Sequence, residues 1–329
     1  MARNLKNEVI LITGAAGSIG REFTIGLARR NPKQLILVDF AETALHNLIL
    51  QLKEIAPDLD VVYFIDSVCN VAFVKHLFSE FDITTVIHTA AYKHVSMVET
   101  NVCAAIQTNV WGAKLILDQA IQHRVKRFIF ISTDKAVSPH NVMGRTKKLI
   151  EDYALQIQKH NPDVDISILR LCNVYGSSGS VVPLFRERIA NKLPLIIRGK
   201  KATRAFIKPE SLLEMLEVLI DDDAQGLYVP NQYELLTIEE VAQQVLKSSS
   251  NEIKDYPMRY EPLFDSEKEH EELKSPTEIE SDEPLGPLVF LTKAAKTKLD
   301  LNLVEQCIRY AQSYKAEEAL KLLERLTSS

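Results

Sequence analysis

Cysteine is scarce in this chain: Cys69, Cys103, Cys172 and Cys307 are the four in 329 residues, far apart and without a CxxC pair. That excludes a disulfide framework and a zinc ribbon. Three of the four sit in apolar surroundings and read as buried thiols. The eight histidines make no HExxH and no metal-ligand spacing, so no metal is expected. No apolar run approaches the roughly 20 residues that span a bilayer. No secretory h-region precedes the first strand. The expectation is a soluble, cytoplasmic protein with no membrane partner. The net charge is -5, from 39 basic and 44 acidic residues, which gives nucleic acid nothing to bind. An anionic ligand must be met by local basic residues.

Glycine is sparse as well, yet three of the eleven stand within seven residues. Ile10–Gly20 reads ILITGAAGSIG: a β-branched run, then Gly14, Gly17 and Gly20, then a helical pattern over Glu22–Arg30. A strand, a tight turn and a helix N-terminus make a seat for a pyrophosphate. Gly14 can take up the turn, Gly17 lets the backbone approach phosphate, and Gly20 lets the helix pack on the sheet. A second apolar run, Leu35–Val38, ends in Asp39, about twenty residues on, where an acid commonly holds the adenosine ribose.

Apolar strands then alternate with helical patterns through Leu171, predicting strands at 9–13, 35–39, 61–65, 86–89, 128–132 and 165–171. Helices are predicted at 18–30, 43–55, 71–81, 99–123 and 144–159. This is an α/β fold: a Rossmann-like, doubly wound parallel sheet with a smaller C-terminal substrate-binding lobe. The domain reading is 1–172 for the dinucleotide-binding and catalytic part. Residues 173–299 form mainly the substrate lobe, with segments returning to the sheet, and 300–329 a helical segment. Beyond Leu171 a helix with a capping box is predicted from Thr237, three residues before Glu240. Tyr256–Leu263 is ambiguous. Asp265–Glu283 carries nine acidic and two basic residues, and reads as a solvated face and loop without a functional role.

Ligands of such sheets lie beyond the carboxyl ends of the strands. After the fifth strand comes Ser132-Thr133-Asp134-Lys135, a hydroxyl, an acid and an amine at the mouth of the sheet. Lys147 follows Met143 by four residues, on the same helical side. A lysine there can reach a nicotinamide ribose and lower the proton affinity of nearby hydroxyls.

Five stretches together carry a family resemblance: GAAGSIG (Gly14–Gly20), TAAYKHV (Thr89–Val95) with Met97 and Glu99, ISTDKA (Ile131–Ala136), NVMGRTK (Asn141–Lys147) and GSSGSVVPLFRERI (Gly176–Ile189). They resemble the extended short-chain dehydrogenase/reductases, and within them the bacterial UDP-N-acetylglucosamine 4,6-dehydratases of polysaccharide biosynthesis. The similarity runs from about residue 9 to 273. It implies oxidation at sugar C4, loss of water across C5 and C6, and hydride return to C6. Epimerisation or 5,6-dehydration on the same scaffold, and a non-catalytic nucleotide-binding protein, are the alternatives.

By position the resemblance gives Lys135 the C5 proton, Asp134 the departing C6 hydroxyl, Thr133 the C4 oxygen and Lys147 the nicotinamide ribose. Met143 stands where most short-chain dehydrogenases have tyrosine, and a thioether has no proton to exchange. The cofactor is NAD or NADP, with Asp39 favouring NAD. It would be held by Gly14, Gly17, Ser18, Ile19 and Gly20, by Asp66 and Ser67, and by Ala90, Ala91, Lys93 and Asn109. A UDP-sugar would meet Lys93, Asn173, Val182, Pro183, Arg204 and, more loosely, Arg259. A homo-oligomer is implied. The chain looks like the short soluble members, without the membrane-spanning region of long relatives. Two departures touch the substrate half. The family's TRYFM is Thr203-Arg204-Ala205-Phe206-Ile207 here. Its LRPGEKLYEEL is LFDSEKEHEEL (Leu263–Leu273), with Phe264 in place of a phosphate-binding arginine and Ser266 in place of glycine. Lys200, Lys201 or Arg259 could restore the charge.

Overall fold

The computed structural model describes residues 3–177, 179–249, 255–293 and 298–328; Ser178 of the glycine-serine stretch lies outside them. Six parallel strands form the heart of the fold: β1 (Val9–Thr13), β2 (Gln34–Asp39), β3 (Val61–Ile65), β4 (Thr85–His88), β5 (Arg127–Thr133) and β6 (Asp165–Leu171). Their order in space is β3-β2-β1-β4-β5-β6. β1 and β4 are buried throughout, as their uninterrupted apolar sequence requires. Edge strand β3 instead exposes Tyr63 and Ile65.

After β7 (Asn173–Val174) come β8 (Leu195–Arg198), β9 (Thr203–Ile207), β10 (Gly226–Pro230), β11 (Glu234–Thr237), β12 (Met258–Glu261), β13 (Glu278–Glu280) and β14 (Leu288–Lys293). β10 adds parallel to β6, and β14 and β13 extend that edge antiparallel, so the large sheet has nine strands among the described residues. β11-β9-β7 and β12-β8 form two small sheets. They enclose a second core around Val182, Phe185, Leu195, Ile197, Phe206 and Val241. The ambiguous Tyr256–Leu263 is resolved by pairing of β12 with β8. The capping box of Thr237 and Glu240 is formed on both sides.

Three expectations are corrected. The single helix over Glu99–His123 is broken. Asn101 adopts φ -124° and ψ 50°, and its amide binds Met97 O at 2.8 Å. Ile106–Gly112 is then a π-helix, whose wider turn re-aims the inward side chains. The C-terminal helix is two, Leu301–Gln312 and Ala316–Thr327, with Tyr314 at φ +56° between them. The acidic stretch is not simply solvated: Glu271 and Glu278 are buried, and β13 joins the large sheet. Alternating charge with β-branched residues hid that strand, because only the tertiary partner makes a buried carboxylate tolerable.

That partner is Arg170 on β6, with essentially no exposure. Its guanidinium holds both oxygens of Glu151 at 2.7 and 3.0 Å and both of Glu278 at 2.8 and 3.0 Å, and donates to Leu273 O at 2.7 Å. Ser132 completes the set by donating to Glu151 at 2.7 Å. Removing one member of a buried pair leaves an uncompensated charge. Arg170→Ala is therefore expected to lower the unfolding free energy by ~3–5 kcal/mol in urea titration. Lys274→Ala, which breaks the exposed pair with Glu280 in the same segment, should cost under ~1 kcal/mol.

Candidate functional site

The strand order reverses between β1 and β4, and the crevice beyond their carboxyl ends is where doubly wound sheets bind ligands. Register brings the relevant ends level: Thr13 pairs with Val38 on one side and His88 on the other. Gly14 N therefore donates to Val38 O at 2.8 Å, and Thr89 Oγ1 donates to Gly14 O at 3.0 Å. Gly14 has φ +67°, and a Cβ on it would lie 2.7 Å from Ala90. A Cβ on Gly20 would lie 2.1 Å from Gly14 O. Neither place admits a side chain.

The helix Ser18–Arg29 starts at Gly17 with no side-chain cap and no acid in its first turn. Its N-terminal amides are thus arranged for an anion rather than for a cap. Asp39, buried at the end of β2, accepts from Ala16 N at 3.0 Å and Ala41 N at 2.9 Å, which ties the acid to the glycine turn. Asp66 and Ser67 follow β3, where Asp66 accepts from Ser67 N and from Asn70. This cradle fits a dinucleotide: a bare helix end, a backbone without room for Cβ atoms, and an acid at the next strand.

Ala90, Ala91 and Lys93 follow β4; Lys93 is exposed. Asn109, on the π-helix, is buried. Its amide binds both Tyr92 N (2.8 Å) and Tyr92 O (3.0 Å), and donates to Thr146 Oγ1 at 3.0 Å. Asn109 thereby clamps the loop after β4 to the helix Val142–Gln158, which carries Met143 and Lys147. Glu99 supports the same helix by accepting from Val142 N at 2.7 Å, and Asn141 caps it at Gly144 N at 2.8 Å.

β5 runs three residues past the His88–Phe130 pairing, up to Thr133 opposite Leu171. This lifts Thr133, Asp134 and Lys135 above the crevice. Thr133 Oγ1 donates to Asp134 Oδ1 at 2.8 Å, and Lys135 Nζ donates to the same oxygen at 2.9 Å. The other oxygen, Oδ2, is buried with no hydrogen-bond partner among the described residues. Burial works against the Lys135 ammonium, but Asp134 and Glu271 outweigh it and hold its pKa above the ordinary lysine value.

Lys147 is buried, lies 4.6 Å over the Phe130 ring and donates to Ile131 O at 2.8 Å. Burial brings it down to about 7, although Glu151 pulls the other way. Beneath it, His88 stacks with Phe128 and Phe130 and binds Thr13 Oγ1 at 2.8 Å. Burial, then Lys147, pushes His88 down to about 3, so it stays neutral. Met143 is also buried.

The lobe contributes Arg204, buried on β9 and donating to Thr203 O (2.9 Å) and Glu269 O (3.0 Å). Asn173 Nδ2 binds Ala205 O at 3.1 Å. Val182 points into the lobe's own core, with Pro183 half-buried beside it. Arg259 is 73% exposed and pairs with Glu261. Sequence reasoning missed Arg198. Its guanidinium lies 4.2 Å from the Phe264 ring centroid and pairs with Glu261 at 2.7 Å. A cation thus stands over the position where the family pattern has arginine. Lys200 lies similarly over Tyr260, at 5.2 Å. A basic residue spaced beside a lost arginine was the available signal, but only folding pairs β8 with the 258–264 segment.

Among the described residues no helix is long and apolar enough to cross a membrane. The family profile described as "Polysaccharide biosynthesis protein" matches residues 10–292. The chain is 31% identical to the capsular polysaccharide biosynthesis protein CapD of Staphylococcus aureus over 99% of its own length and 54% of that protein's. It is 34% identical to a UDP-N-acetylglucosamine 4,6-dehydratase (inverting) of Campylobacter jejuni, over 61% of this chain and 60% of that one. A UDP-glucose 4-epimerase of Rickettsia bellii is 28% identical over 98% of this chain and 91% of its own. The chain spans about half the length of the first curated relatives it matches. It belongs to the polysaccharide biosynthesis protein family, within the extended short-chain dehydrogenase/reductase superfamily of nucleotide-sugar epimerases and dehydratases.

Proposed function

We propose that this chain is a nucleotide-sugar 4,6-dehydratase acting on a UDP-N-acetylhexosamine, with UDP-N-acetylglucosamine as first candidate and NAD as cofactor. The observation that carries the reading is the hydrogen-bonded Thr133–Asp134–Lys135 cluster beside Lys147, with a thioether at Met143. When bound in the glycine cradle, a nicotinamide dinucleotide supplies the hydride acceptor for C4 and the hydride donor for C6. Asp39 favours NAD, because its carboxylate at the turn repels a ribose phosphate.

Elimination of water from a 4-keto sugar needs a base at C5 and an acid at C6. At rest the pair is carboxylate and ammonium, the opposite arrangement. One proton moving along the 2.9 Å bond from Lys135 to Asp134 produces the amine and the acid that the step requires. Lys135 then takes the C5 proton, the C5–C6 double bond forms, and Asp134 gives its proton to the C6 oxygen, which leaves as water. The carboxylate and ammonium are restored. Thr133, bonded to Asp134, is placed to hold the C4 oxygen and relay its proton to solvent as hydride leaves C4; Lys135 returns a proton to C5 as hydride reaches C6, and solvent restores the ammonium. Met143 packs beside the sugar without taking part in proton transfer. Arg204, Asn173, Lys93 and the Arg198–Phe264 pair are the groups offered to the sugar and diphosphate.

A 4-epimerase is the second reading, favoured by the match over nearly the whole length of the Rickettsia protein. Incubation with UDP-N-acetylglucosamine in deuterated water separates them by proton NMR. A new C6 methyl and loss of water support dehydration; an inverted C4 with no loss of mass supports the epimerase and overturns our reading. Lys135→Met should reduce dehydration at least ~100-fold while NAD still binds. Gly20→Ala should abolish NAD binding by calorimetry, since its Cβ meets Gly14 O.

Lys147 gives a pH test in the cofactor-free protein. Below about 7 the native state bears the full cost of a buried ammonium. Between about 7 and the ordinary value of 10.5, the unfolded chain holds the proton and the native chain does not, so stability rises with pH. Relative to Lys147→Met, the wild type should gain on the order of 2 kcal/mol between pH 7 and pH 9 in urea titrations.

A further inference from the structure

Glu271 sits in the acidic stretch to which the sequence assigned no role, yet it is only 9% exposed. The segment around it is pinned to the catalytic turn and to β9. Asn141 Nδ2 donates to Ser266 O at 3.0 Å, and Lys268 Nζ to Val137 O at 2.6 Å. Thr203 N and Arg204 Nη1 both donate to Glu269 O at 3.0 Å. These anchors deliver a carboxylate from a distant part of the chain to the surroundings of Asp134 and Lys135. Its Oε2 is buried with no hydrogen-bond partner among the described residues. Lys268 Nζ stands 3.9 Å away, already engaged by Val137 O. Asp134 Oδ2 is buried and likewise without a hydrogen-bond partner among them.

Resting on the dehydratase reading, we infer that Glu271 is a positioning residue for the catalytic proton: its charge sets whether the Asp134–Lys135 pair rests as carboxylate and ammonium or as acid and amine. The charged groups whose fields reach it are Asp134 and Lys135 on the turn after β5, Arg204 on β9, and Lys268 on its own segment. Cys172 at the end of β6 is pushed up to about 12, by burial and then by Asp134, and stays a neutral thiol. Burial raises the Glu271 pKa, and Lys135 opposes that rise more strongly than Asp134 adds to it. An ionised Glu271 therefore stabilises the ammonium more than it disfavours the neighbouring carboxylate. A neutral Glu271 releases the lysine toward the amine form that the elimination needs.

The test reads Lys135 without any sugar. The purified 329-residue chain is acetylated competitively with acetic anhydride from about pH 7 to about pH 11, and labelling of Lys135 is quantified by mass spectrometry. In Glu271→Gln the midpoint should move about one pH unit lower, which makes labelling at pH 8 about tenfold faster; Glu271→Asp should restore the wild-type midpoint. Glu271→Met replaces the glutamine variant if that one does not fold. An unmoved midpoint overturns the proposal, and so does a higher plateau at the same midpoint, which signals only a loosened site. In parallel, the basic limb of the kcat profile on UDP-N-acetylglucosamine should move lower in Glu271→Gln; a reduced kcat with both limbs in place also overturns it. A shifted Lys135 midpoint in a protein that does not dehydrate the sugar upholds the coupling and sinks the reaction assignment alone.

Discussion

The buried guanidinium of Arg170 is the interaction on which the site depends. It sits on β6 and binds two carboxylates, Glu151 from the helix that carries Lys147 and Glu278 from β13. Ser132, next to the Thr133–Asp134–Lys135 cluster, joins through Glu151. One side chain thus sets the helix of Lys147 against the strand of Asp134. Through Leu273 O it also fixes the acidic segment that brings Glu271 in. A buried triad of this kind is weak as a source of net stability, because desolvation offsets most of the attraction. Its effect is geometric: it ties β6, the helix Val142–Gln158 and β13 together at one point.

Charge inside the crevice is arranged in two unequal parts. Among the described residues Lys147 meets a carbonyl and an aromatic face, with Glu151 acting only through its field, and burial lowers it. Lys135 is bonded to Asp134 and also feels the field of Glu271, and these raise it. Environments that push two amines in opposite directions suit them to different work. The lysine nearer neutrality answers readily to a bound ligand's charge, while the paired one exchanges its proton with a fixed neighbour.

The smaller lobe sets a guanidinium beside Phe264 from another part of the chain. Phe264 does not replace a guanidinium, but its ring lies under one, Arg198. A guanidinium over an aromatic face loses less rotamer freedom on engaging phosphate than one in open water. The pair Glu261 makes with both Arg198 and Arg259 holds the two arginines to one edge of the lobe.

Local sequence determined the glycine turn, the alternating strands and helices, the acid at the end of β2 and the hydroxyl-acid-amine order after β5. Each is a matter of backbone sterics, periodicity or spacing, and each is readable within about twenty residues. Tertiary structure alone decided the rest. The π-helix at Ile106–Gly112 passes the loop after β3, with Gly112 against Val68. Glu271 and Glu278 look like solvent-facing acids until Arg170, Lys135 and Arg204 arrive from segments about 70 to 140 residues away. Burial of a charge is decided by its partner, and a partner distant in sequence leaves no periodic trace.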